Sequence, residues 1–62
     1  MKTYILTAPS TPGATPTQQS TGTLPECRKA ARRFDARRDL TRQDVRIEDG
    51  TGALKEYAGP VR

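Results

Sequence analysis

A chain of 62 residues with a formal net charge of +4 has room for one small domain, which buries only roughly 60% of the surface its unfolded chain exposes. With no histidine and one cysteine, Cys27, it lacks the commonest general base and metal ligand, cannot close an intrachain disulfide and cannot build a zinc site from thiols alone. The N-terminal apolar run Tyr4-Ile5-Leu6 falls short of a signal-peptide core of roughly 7–15 residues and of the ~20 that cross a bilayer, so the chain reads as soluble and cytoplasmic, with no membrane contact.

Residues 2–8 carry β-branched and aromatic side chains ahead of a proline and predict a strand. Residues 9–22 hold three prolines and two glycines, with no charge and no large apolar side chain. Ordering them costs roughly 1–2 kcal/mol per residue with nothing to bury in return, so this Pro/Ser/Thr segment is expected to be a flexible linker.

A helix is predicted over residues 23–39. Thr23 sits at the N-cap, Pro25 lies in the first turn, and Glu26 is placed to close a capping box. At 100° per residue Leu24, Cys27, Ala30, Ala31 and Phe34 form an apolar stripe, with Lys29, Arg32 and Arg33 opposite and Arg28 and Arg37 on the flanks. Arg38 would re-enter the stripe and Leu40 leaves it, which ends the helix near Arg38 or Asp39. Thr41 with Asp44 repeats the capping pattern, with Leu40 just before the cap, and predicts a helical turn over 41–44.

Residues 45–58 read as a β-hairpin turning at Asp49-Gly50-Thr51-Gly52. A three-residue loop ending at Gly52 sets Val45 opposite Tyr57, whereas a two- or four-residue loop moves Leu54 onto the face of Ile47. Residues 59–62 form a tail. The expected architecture is α+β: a β-α-β-β domain with a three-stranded sheet packed on one amphipathic helix, its other face exposed or partner-bound. A parallel pairing of strand one with residues 45–48 would require a right-handed crossover. The expected core is Ile5 or Leu6, Leu24, Cys27, Ala31, Phe34, Val45, Ile47 and Leu54 or Tyr57.

Chemistry is sparse, and no cofactor or metal is implied. The one catalytic candidate is Cys27, early in the helix beside Arg28 and Lys29, where the helix dipole and local cations would lower a thiol pKa; a small core residue is the simpler reading. The charge asymmetry lies in residues 23–44, seven cations against four carboxylates. Arg28, Lys29, Arg32, Arg33 and Arg37 therefore form the candidate surface for a nucleic-acid backbone or an acidic protein. Asp35, three residues from both Arg32 and Arg38, would pair part of that charge. The exposed helix face that carries the cations has no aromatic or amide, so base readout is unsupported. A small core and an open sheet face favour a non-enzymatic protein-interaction module, an adaptor or inhibitor, in size and composition like the accessory products of phages, plasmids and bacterial genomes. Contact with nucleic-acid phosphates is the alternative, and a homodimer is compatible with either.

Overall fold

The computed structural model describes residues 2–60. Four strands, β1 (Tyr4–Ala8), β2 (Thr17–Gly22), β3 (Arg46–Asp49) and β4 (Leu54–Tyr57), form one sheet in the order β2-β1-β3-β4. Helix α1 (Leu24–Ala31) covers one face, and two short 3-10 turns, Arg32–Phe34 and Arg42–Asp44, lead from it to β3. The class is α+β as the sequence indicates, but the sheet has one strand more than expected, and every neighbouring pair is antiparallel.

The extra strand lies inside the segment read as a linker. Thr11-Pro12-Gly13-Ala14 closes a turn, with Ala14 N–H donating to Thr11 O at 3.0 Å and Gly13 at φ +81°. Proline at the second position and a left-handed glycine at the third are what a type II turn requires. The chain then returns along β1 as β2. Three side chains fasten this polar strand to its neighbour's carbonyls: Thr17 Oγ1 and Gln19 Nε2 donate to Ala8 O, and Thr21 Oγ1 donates to Tyr4 O. Ladder and side-chain hydrogen bonds thus replace the apolar burial the segment lacks. Because β2 reverses the chain before the helix, β3 runs parallel to β2 and antiparallel to β1. The crossover rule for a parallel β1–β3 pair does not apply.

Thr23 caps α1 as predicted, its Oγ1 accepting from Glu26 N–H while Glu26 Oε1 accepts from Thr23 N–H at 3.2 Å. The helix stops at Ala31 instead of near residue 39. A 3-10 turn advances 120° per residue, so tightening after Ala31 stacks Phe34 directly over it and buries the ring. Leu40 is then free to fold under the sheet, where it is 1% exposed. The turn expected over 41–44 forms at Arg42–Asp44, with the predicted box between Thr41 and Asp44.

The core consists of Leu6, Ala8, Cys27, Ala31, Phe34, Leu40, Val45 and Ile47. Leu6, not Ile5, faces the helix. Neither Leu54 (45% exposed) nor Tyr57 (38%) joins the core. The hairpin has its three-residue loop: Asp49 N–H donates to Ala53 O at 2.9 Å, and Gly52 takes φ +90°. Glu48 therefore opposes Leu54, yet Ile47 opposes Glu56 and Arg46 opposes Tyr57. Lys55 is the extra residue of a β-bulge, which shifts everything after it by one. That shift turns Tyr57 away from the helix and Glu56 towards it. At the start of the expected tail, Gly59 and Pro60 are buried, and Gly59 N–H donates to Arg42 O at 3.1 Å; residues 61–62 of that tail lie outside the described residues.

Candidate functional site

The five cations singled out from the sequence do not form one surface. Arg28 leans over β4 and grips Glu56 with two guanidinium nitrogens, Nε and Nη2, at 2.7–3.2 Å. This is the pairing the Lys55 bulge makes available. The guanidinium holds the Glu56 carboxyl below its ordinary range. Arg37 closes a second fork on Asp39, at 2.8 and 2.6 Å, and also donates to Ser10 O at 3.2 Å. The partners are therefore Glu56 and Asp39; Asp35, expected to neutralise Arg32 and Arg38, makes no ion pair among the described residues.

Lys29, Arg32 and Arg33 remain together on the outer helix face. Arg33 is anchored, its Nη2 donating to Gln19 O at 3.1 Å and its guanidinium lying 5.3 Å from the Phe34 ring centre, a cation–π distance. Lys29 and Arg32 are exposed, with no side-chain hydrogen bond or ion pair among the described residues. Lys29 and Arg33 border a shallow groove between α1 and β2, but Glu26 borders it too. A carboxylate there opposes a phosphate.

Cys27 is fully buried beneath the helix. Burial pushes its thiol pKa up, and the Glu26 charge adds to the rise. This reverses the direction expected from Arg28 and Lys29: the Arg28 guanidinium is engaged by Glu56 and Lys29 is exposed, while the sulfur faces the core. Among the described residues no three His, Cys, Asp or Glu side chains come together as a metal site would require, and no helix is long and apolar enough to cross a membrane.

On the side of the sheet away from α1, the registers align two rows of side chains. One runs Thr21, Ile5, Glu48, Leu54 and the other Gln18, Thr7, Arg46, Tyr57, each in the strand order β2-β1-β3-β4. Among the described residues Leu54 and Tyr57 are the exposed large hydrophobic side chains, and no element covers them. Arg46 is half-buried, yet it has no ion-pair partner among the described residues. Glu48 is equally half-buried, and among the described residues its carboxylate receives a single 3.4 Å hydrogen bond, from Thr7 Oγ1. The sequence pattern predicts that this face is open; the identity of its residues depends on the Lys55 bulge and on the strand order.

No protein-family model matches the chain, and neither a curated protein nor a solved structure gives a significant match.

Proposed function

We propose that the protein is a small non-enzymatic protein-interaction module, an adaptor or inhibitor in type, that docks its partner on the open face of the sheet. The observation that carries this reading is the company kept there by Leu54 and Tyr57: two exposed apolar side chains stand beside Arg46 and Glu48, two half-buried charges without ion partners among the described residues. Aromatic and arginine side chains at a desolvated centre are typical interface anchors. A half-buried charge without an ion partner gains more from an incoming one than a solvated charge does.

A second reading, electrostatic contact with nucleic-acid phosphates, is supported by Lys29 and Arg32 having no partner among the described residues, beside the anchored Arg33. It is weakened by the forks that remove Arg28 and Arg37 from the set and by Glu26 in the adjoining groove. A photo-crosslinking amino acid installed at Tyr57 in one variant and at Arg32 in another separates the two within the producing cell. Protein adducts from position 57 alone support the module. Nucleic-acid adducts from position 32, with none from 57, would replace it with the second reading.

A further inference from the structure

We infer that the occupant of the open sheet face is a second copy of this chain, packed face to face about a twofold axis that crosses the strands at the level of Ile47. The inference rests on the docking role proposed for that face and names its partner. A twofold axis lying between two sheets, perpendicular to their strands, keeps each strand over its own counterpart and exchanges the two rows. The Arg46 row of one copy then lies on the Glu48 row of the other.

Each strand brings a complementary pair to that exchange. On β3, Arg46 meets Glu48 of the other copy and the reverse, giving each half-buried charge an opposite partner. On β4, the Tyr57 ring lies on the Leu54 side chain. On β1, the Thr7 methyl lies against Ile5. On the outer strand β2, Gln18 meets Thr21, amide against hydroxyl. No like charges oppose each other, and the apolar pairs coincide.

Charge on the rest of the molecule agrees with this geometry. The two rows carry one cation and one anion, so they meet in the two copies without like charges opposed, while Lys29, Arg32 and Arg33 lie on the helical side and point outward from both copies. Aligned sheets pack about 10 Å apart with interdigitating side chains, a separation that tyrosine, leucine and arginine can fill. Four strands at about 4.8 Å spacing make a small patch. The dimer therefore falls below the standard interface of roughly 1,600 Å² and belongs to the weak class.

Sedimentation velocity on the full chain, from roughly 10 µM to about 1 mM, tests this over the range a small interface commands. The parent is expected to shift from monomer to dimer within that range. Arg46→Glu and Glu48→Arg, each confirmed as folded by circular dichroism, should each weaken association about tenfold or more. An equimolar mixture of the two variants should recover it, because every cross-copy contact in the mixed dimer again joins opposite charges. Leu54→Thr, at an exposed site that leaves the core intact, should weaken the dimer without altering the ion pairs. A parent monomeric throughout, or a dimer indifferent to both charge reversals, overturns the inference. Combined with position-57 crosslinks to a different protein, a monomeric parent overturns the second copy alone; with no protein crosslinks from position 57, it overturns the docking role as well.

Discussion

Replacing Gly59 with alanine is a demanding test of how the two ends of this fold are joined. Gly59 follows β4 and lies against the 3-10 turn before β3. A Cβ at this position would collide with the Thr41 carbonyl oxygen and fall 2.7 Å from both Cα and O of Arg42. All three are backbone atoms, so no side-chain rotation relieves the contact. Relief requires the Arg42–Asp44 turn to move, which stretches the hydrogen bond from Gly59 N–H to Arg42 O and disturbs the packing of Leu40, two residues before Arg42. Overpacking costs about 1–3 kcal/mol and a strained backbone hydrogen bond about 1 kcal/mol, so Gly59→Ala should destabilise by roughly 2–4 kcal/mol. In a domain of this size that lowers the Tm by roughly 10–30 °C. Backbone entropy alone predicts the opposite sign: Gly59 is not left-handed, and alanine at a compatible site stabilises by about 0.4–1 kcal/mol. Thermal and urea unfolding followed by circular dichroism distinguish the two. Gly50→Ala is the control, since its nearest neighbour would be Thr3 O at 3.5 Å. A Gly59→Ala protein as stable as the parent would refute the close-approach argument.

Leu40→Ala should cost about 2–5 kcal/mol in urea unfolding, because Leu40 is 1% exposed although it lies outside the helical stripe; a loss below about 1 kcal/mol would show that it contributes little to the core. Glu26, Asp49 and Glu56 all titrate below their ordinary ranges, held by hydrogen bonds from Thr23, Thr51 and Arg28 respectively. A lowered folded-state pKa adds stability that is complete above the ordinary carboxylate range and drains away as pH falls through the lowered values. Acid titration of the Tm should therefore show a fall, and Glu56→Gln should flatten it. Deleting Lys55 should preserve the fold, since the pairings of Leu54 with Glu48 and of Glu56 with Ile47 remain without the bulge. It also makes the β4 edge regular and less charged, so light scattering should report more aggregation; an unfolded deletion variant would contradict the assigned bulge.

The sequence by itself determined what depends on neighbours within a few residues. The capping box at Thr23 and Glu26, the shorter one at Thr41 and Asp44, and a hairpin turn at Asp49–Gly52, though not its loop length, all follow from local hydrogen bonding and backbone preference, which act whatever the rest of the chain does. The stripe of Cys27, Ala31 and Phe34 was equally legible, because helical periodicity is a property of the segment. The basic residues could be counted, but not assigned. Whether an arginine faces solvent or grips a carboxylate depended on Glu56, 28 residues from Arg28, and on a bulge that turned that carboxylate inward.

Tertiary structure decided the rest. β2 has little apolar surface of its own, and its order comes from the β1 carbonyls it pairs with. Its one local signal was Pro12-Gly13, a type II turn that makes a hairpin of β1 and β2. Leu40 became core because the 3-10 turn ended the helix early and brought the chain back beneath the sheet. Leu54 and Tyr57, three residues apart, would fall on opposite faces of a regular strand; the three-residue loop set Leu54 beside Glu48 on the open face, and the bulge at Lys55 brought Tyr57 to the same side. A side-chain period of two leaves the choice of face to register, and register is fixed only when one strand meets another.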